Sequence, residues 1–284
     1  MKITDIINNG EKRLSFEVFP PKSGSSFESV RLATEEIASL SPSFMSVTYG
    51  AGGGTSKYTL EIARNIREKY SVPSLAHLTC VSSTRKTVAE RISDMKMAGI
   101  KNVMALRGDI PKDMEGCPRD YKYAYQLVEE LRHADADFCI GGACYPEGHP
   151  ESGSKEIDLM NLRHKVDFGL DFLTTQMFFD NHLFYDFMSC AVGVGIDLPV
   201  LPGIMPITSV MQVDRVVALS GCYLPREFLS MVDKFSADPV AMKQAGIDYA
   251  TRQIHDLMAQ GVKNIHVYSM NKPDVARAIL NNCR

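Results

Sequence analysis

Short β-rich apolar runs recur along the chain, separated by stretches whose apolar residues fall at helical spacing. The runs are LSFEVF (14–19), FMSVTY (44–49), SLAHLTC (74–80), NVMALRG (102–108), DFCIGGACY (137–145), DFLTTQMFF (171–179), PVLPGIM (199–205) and NIHVYSM (264–270). Successive runs lie about one βα unit apart, and the last gap is about twice as long. After Ser83-Thr84, apolar Val88, Ile92 and Met95 follow at i, i+4 and i+7, and Gly99 supplies a stop. Ala250, Ile254, Leu257 and Met258 repeat the pattern before Gly261. The long gap also holds GCYLPREFLS, so it predicts extra helices before the last strand. Eight strand–helix units predict an α/β fold, a (β/α)8 TIM barrel filling 1–284 as one domain. The competing doubly wound sheet wants a glycine fingerprint after its first strand, where this chain reads PPKSGSS.

Composition narrows the class without redrawing it. The 284 residues are 45% hydrophobic and 23% charged, as in ordinary globular domains, and the formal net charge is −3. Lys and Arg are scattered, which speaks against a nucleic-acid partner. No apolar stretch approaches the ~18 residues of a membrane span, and the N-terminus has no signal-peptide h-region. The seven cysteines form no Cys-x-x-Cys pair, which reads as buried free thiols in a cytoplasmic protein and gives no metal site.

Parallel strands covered on both faces should read as continuous apolar runs, and barrel catalysis sits at the C-terminal strand ends. Polar interruptions there need a partner or a job. Glu17, inside SFEVFPP, is either half of a structural ion pair or a general acid kept protonated by burial. His77, Gln176 and Tyr268 interrupt other runs; each alone reads as a core hydrogen-bonder, but four on different strands favour a site. Gln176 offers both donor and acceptor to the edge of a heterocycle. In LRGD, Arg107 grips a phosphate or pairs internally, and Asp109 faces a ligand or caps the next helix. YPEGHPE packs Tyr145, Glu147 and His149 together as an aromatic and imidazole clamp for a flat ligand. DLMNLRHK carries Asp158, Asn161 and Lys165 on one helix face, polar for solvent or for a ligand. GAGGGTSK (50–57) fits neither phosphate-loop fingerprint and reads as a lid-like loop.

In this order, SFEVFPP, SVTYGAGGGT, AHLTC, ALRGD, YPEGHPE, DLMNLRHK, TTQMFFD, PGIMPI and HVYSMNK resemble the methylenetetrahydrofolate reductase family, over residues 15–272. The resemblance implies an oxidoreductase of one-carbon metabolism on a TIM barrel that binds FAD at the C-terminal strand ends. It implies reduction of 5,10-methylenetetrahydrofolate to 5-methyltetrahydrofolate with NAD(P)H, by a ping-pong cycle through one flavin site that supplies methionine synthesis. Glu17 matches the general acid that helps open the imidazolidine ring, and Asp109 a carboxylate near flavin and pterin. Gln176 resembles the pterin-contacting amide, with Gln212, Tyr268 and Lys272 also toward folate. FAD contacts would fall on Thr48, Tyr49, His77, Leu106, Arg107, Gly108, Asp109, Tyr123, Ala124, Tyr145, His149, Asp158, Asn161, His164 and Lys165.

Two positions depart from the family's pattern. His164 stands where relatives often carry Arg beside the diphosphate, which implies a weaker or pH-dependent contact. Val216 stands where some bacterial relatives place an aromatic against the nicotinamide, which leaves an electron-carrier protein as the alternative donor to a flavin- and folate-binding subunit. The resemblance further implies a homo-oligomer and the absence of the S-adenosylmethionine-binding regulatory domain of eukaryotic members. A proline-dehydrogenase-like flavoprotein or a pterin methyltransferase is the rival barrel enzyme.

Overall fold

A computed structural model describes residues 1–21, 26–49, 56–110 and 120–283. The chain begins with α1 (Ile3–Ile7) and β1 (Arg13–Val18), followed by α2 (Phe27–Ser39), β2 (Met45–Val47), α3 (Ser56–Tyr70), β3 (Ser74–Thr79) and α4 (Arg85–Met97). Then come β4 (Asn102–Leu106), α5 (Ala124–Ala134), β5 (Cys139–Cys144), α6 (Lys155–Asp167), β6 (Phe172–Thr175) and α7 (Asn181–Gly193). The last third holds β7 (Val200–Leu201), β8 (Gly203–Ile204), α8 (Val210–Ser220), α9 (Arg226–Phe235), α10 (Pro239–Ala259), β9 (Asn264–Tyr268) and α11 (Pro273–Asn282). All strand pairs are parallel, in the order β7-β6-β5-β4-β3-β2-β1-β9-β8.

That order is an eight-stranded barrel with one strand cut in two. The run PVLPGIM, expected as one strand, is interrupted at Pro202, which has no N–H to give to a ladder. β7 pairs with β6 and β8 with β9, while the Pro202 carbonyl still accepts the His266 N–H at 2.9 Å. The barrel thus closes across the interruption. The helices start where the sequence says they should: the Thr84 hydroxyl accepts from the Thr87 N–H at the start of α4, and Val88, Ile92 and Met95 are buried. The extra helices of the long gap are α8 and α9, with α10 lengthened to 21 residues. Among the described residues no helix is long and apolar enough to cross a membrane.

Three apolar clusters divide the interior. Outward-facing strand residues such as Phe16, Val47 and Val267 pack under the helices. Inside the barrel, at its N-terminal end, α1 sets Ile3, Ile6 and Ile7 against Phe44, Leu75, Met104, Phe172 and Leu201. Phe179, Ile207, Val213, Val216, Phe228, Met242 and Tyr249 join the extra helices to the strand ends. Val216 is 3% exposed there, and Val213 and Val216 are one helical turn apart, so the side chain is committed to packing within this cluster.

Candidate active site

Strand alternation builds the polar layer above the apolar plug. Glu17 pairs in register with Ser46 on one side and Tyr268 on the other, and Ser15 pairs with His266. Residues two apart face the same way, so Ser15, Glu17, Ser46, His266 and Tyr268 share the barrel interior. From β3, His77 Nε2 lies 3.6 Å from Glu17 Oε2; His266 Nε2 lies 4.0 Å from the same atom.

These contacts are not ion pairs. Burial pushes the Glu17 carboxyl up to about 8, outweighing the hydrogen bond to Ser46. Burial also pulls His77 down to about 4 and His266 to about 3, the latter with help from nearby His77. All three groups are therefore neutral at pH 7. Among the described residues Glu17 has no Lys or Arg within ion-pair distance, which removes the structural ion-pair reading. Glu17 keeps 21% of its side chain exposed, so the acid is reachable from the barrel mouth. Among the described residues His77 Nε2 is buried without a hydrogen-bond partner. Tyr268 donates to the Thr175 carbonyl at 2.5 Å, and burial, then Glu17, holds its phenol well above the ordinary value.

An arc of further residues rims the mouth. At the end of β2 the Thr48 carbonyl accepts the Thr59 hydroxyl at 2.9 Å, and the Arg91 guanidinium stacks 5.1 Å over Tyr49. Beyond Leu106 at the end of β4, Arg107 pairs internally: both terminal nitrogens donate to Glu151, at 2.6 and 2.7 Å. Gly108 adopts φ +87°, and exposed Asp109 follows. The next described helix, α5, starts at Ala124 with Tyr123 as its N-cap, so Asp109 does not cap it. Tyr145 and His149 touch edge to face at 4.6 Å.

On α6, Asp158 accepts the Ser152 hydroxyl and Lys165 donates to the Ala143 carbonyl at 2.5 Å. Burial lowers the Lys165 ammonium, and Asn161 on the same face is exposed. His164 packs edge-on against Tyr125 and Phe168, at 4.9 and 5.0 Å. The loop expected over 50–57 lies, at 50–55, outside the described residues.

The opposite rim is held by Thr208. Its hydroxyl and its N–H both donate to Gln212 Oε1, at 2.9 and 2.8 Å, and Lys272 Nζ donates to that hydroxyl at 2.5 Å. Gln176 turns its Oε1 onto the Met177 N–H at 3.0 Å, and among the described residues its NH2 makes no hydrogen bond. Reading polar interruptions found Glu17, His77, Gln176 and Tyr268 but passed over His266, Ser15 and Ser46. His266 interrupts NIHVYSM as His77 interrupts SLAHLTC, and the same rule applied to it finds it.

A closed (β/α)8 barrel with a neutral buried acid and histidines at its C-terminal mouth defines an enzyme of the TIM-barrel class. The sequence pattern of the methylenetetrahydrofolate reductase family matches residues 2–284. The 5,10-methylenetetrahydrofolate reductases of Pectobacterium carotovorum and Escherichia coli K12 are 36% and 34% identical over 270 residues, covering 95% of this chain and 89% and 90% of theirs. An Arabidopsis thaliana methylenetetrahydrofolate reductase (NADH) is 32% identical and is covered over 50% of its length. A Clostridium thermocellum protein that binds two copies of 5-methyl-5,6,7,8-tetrahydrofolic acid superimposes with TM-score 0.68 over 99% of this chain and 98% of its own, but at 14% identity it shares the fold alone. The chain belongs to the methylenetetrahydrofolate reductase family, and it is an oxidoreductase with methylenetetrahydrofolate reductase activity.

Proposed function

We propose that the enzyme converts 5,10-methylenetetrahydrofolate to 5-methyltetrahydrofolate with FAD across the strand ends and NAD(P)H as donor, each substrate using the same site in turn. When bound, FAD supplies hydride transfer from nicotinamide to folate. The observation that carries this reading is Glu17, a carboxyl held protonated near neutral pH yet open to the mouth. Its acid form hands a proton to the folate nitrogen as the imidazolidine ring opens, and solvent at the mouth recharges it. The NH2 of Gln176 faces the pterin edge, while Gln212 and Lys272, tied through Thr208, serve the rest of the folate.

The residues fit a flavin. His77 Nε2 is a buried polar atom lacking a partner among the described residues, and the Lys165 cation, with Asp158 and Asn161 beside it on α6, suits a diphosphate. The family resemblance assigns Thr48, Tyr49, Leu106, Arg107, Gly108, Asp109, Tyr123, Ala124, Tyr145, His149 and His164 to the same cofactor. The product supplies methyl groups to methionine synthesis, and the enzyme works as a homo-oligomer.

Anaerobic flavin absorbance tests the reading. NADH or NADPH should bleach the bound flavin and methylenetetrahydrofolate should restore it. Glu17→Gln should spare the first half-reaction and abolish the second. Equal loss of both, or a protein that takes up no FAD, overturns the assignment; bleaching by neither nucleotide overturns the donor.

A further inference from the structure

Helix α8 rests on the barrel through its apolar face, where Val213 and Val216 pack with Phe179, Ile207 and Phe228. Such contacts are non-directional and let a helix slide or turn on its neighbours. Among the described residues, hydrogen bonds tie the segment 209–224 to the rest of the chain at two points. One is Gln212, in the first turn of α8, whose Oε1 takes the Thr208 hydroxyl and N–H. The other lies past the C-terminal end of the helix, where the Tyr223 N–H donates to Glu147 Oε2 at 2.8 Å.

The turn after β5 presents Glu147 for that bond. The Gly148 N–H donates to the Tyr145 carbonyl at 3.0 Å, and Gly148 takes φ +87°, a conformation that favours glycine. Glu147 stands at the corner of this turn, between Tyr145 and His149. In the sheet, β6, which ends just before Gln176, separates β5 from the interrupted strand that leads to α8. The Glu147–Tyr223 bond therefore crosses the mouth on the side of Gln176. Its energetics are not those of a bond kept for folding. Glu147 Oε1 is buried and, among the described residues, makes no hydrogen bond, which costs stability. Tyr223 is more than half exposed, so water is available for its N–H without Glu147. What the bond supplies is position: it fixes the far end of the helix whose near end carries Gln212.

We propose that Glu147 is a positioning residue for folate: by clasping the α8–α9 loop to the turn after β5, it holds α8 and hence Gln212 in place at the mouth. This rests on the reading of Gln212 as a folate contact. Held only at Thr208, a helix about 16 Å long pivots on one polar tether; held at both ends, it does not.

The test compares Glu147→Ala, Glu147→Gln and Gln212→Ala in the holoenzyme. Glutamine keeps a carbonyl oxygen within reach of the Tyr223 N–H, and alanine does not. Glu147→Ala should raise KM for methylenetetrahydrofolate about tenfold, the scale of one displaced hydrogen-bonding side chain, with kcat held. It should also speed amide hydrogen exchange across 209–224 in protein without folate or nucleotide. Glu147→Gln should restore both. In a Gln212→Ala background, Glu147→Ala should add no further rise in KM, because it acts through Gln212. A merely structural contact would give neither the KM-against-kcat split nor this non-additivity. Equal effects of alanine and glutamine, or faster exchange with KM unmoved, overturn the proposal. Glu147→Asp, a methylene short of the donor, takes the place of Glu147→Ala if that variant does not fold. If Gln212→Ala leaves KM unchanged while Glu147→Ala raises it and Glu147→Gln restores it, the clasp stands and the Gln212 assignment fails. If Gln212→Ala raises KM and Glu147→Ala does not, the assignment stands and the clasp fails.

Discussion

Gly246 lies in the middle of α10, where glycine is ordinarily a liability, and replacing it with alanine in an open helix gains about 1 kcal/mol. Here the helix presses directly on the main chain that follows β8. A Cβ at position 246 would fall far inside the van der Waals radius of the Ile207 carbonyl oxygen and 2.6 Å from the Ile207 carbonyl carbon. Reaching an ordinary 3.4 Å from that carbon alone needs 3.4 − 2.6 = 0.8 Å of retreat, the nearer oxygen needs more, and the obstacle is backbone, which has no rotamer to change. Overpacking of this kind costs about 1–3 kcal/mol, and a backbone obstacle puts it at the upper end. Set against the propensity gain, Gly246→Ala should destabilise by about 2 kcal/mol. Ile207 precedes Thr208, which anchors Gln212 and Lys272, so the displacement should also raise KM for folate while leaving flavin reduction by the nicotinamide unchanged. Urea unfolding of the apoprotein reads the first effect, and half-reaction kinetics the second. Gly193, at the end of α7 with nothing within 4 Å of its would-be Cβ, is the control: Gly193→Ala should be neutral or stabilising. If Gly246→Ala matched it, helix propensity would be the deciding factor and the close approach to Ile207 would carry no energetic weight.

Glu35 sits between α2 and α3. Burial alone would raise its carboxyl, but hydrogen bonds from Lys69, Asn65 and Tyr70 and the Arg31 charge bring it down to about 2. Its stabilisation is present above the ordinary carboxylate value and lost as pH falls toward 2. Glu35→Ala should therefore cost about 2 kcal/mol at pH 7 and progressively less in acid, as urea melts across pH would show. A cost independent of pH would sink the electrostatic account. Glu17 behaves in the opposite sense. Its folded-state carboxyl holds a proton up to about pH 8 and the unfolded one only to the usual 4.5, so wild type loses stability as pH rises between these values. Glu17→Gln, neutral throughout, should gain on wild type across that window by on the order of 5 kcal/mol, and a flat difference would contradict the burial argument.

Much of the fold was legible because strand periodicity and helix stops are local signals. The Thr84 cap, the Val88–Ile92–Met95 stripe and the glycines at 99 and 261, which take φ +67° and +91°, are written within a few residues of where they act. The cut at Pro202 was legible in principle, because proline cannot donate within a ladder, but PVLPGIM is apolar throughout and masks the break. α1 was passed over for a different reason. Five residues cannot hold a helix alone, and ITDII is helical because Ile3, Ile6 and Ile7 close the barrel floor. For the site, Glu17 was visible as a carboxylate in an apolar run; whether it was paired or protonated depended on which strands flank it, which no local pattern encodes. The pairing of Arg107 with Glu151, 44 residues on, and the contact of Tyr145 with His149 are likewise tertiary outcomes.

The barrel interior shows how one cavity serves both stability and chemistry. Its floor is apolar from Ile3 to Phe172, with buried Asn102 taking the Ile3 N–H at 2.9 Å. Above it, Ser15, Ser46, His77, His266 and Glu17 are polar, and burying them as ions would be costly in such a setting. An ion pair would have cancelled charge, but it would have pulled the Glu17 carboxyl down and left no acid at neutral pH. A neutral acid beside neutral imidazoles avoids both costs: no charge is buried, and the proton stays on the one group that reaches the mouth. The exposure of Glu17, small as it is, separates it from His266 beneath it. Depth along the barrel axis thus separates chemically similar buried groups: on the proposed reading Glu17 is the one that meets substrate, and His266 lies beneath its reach.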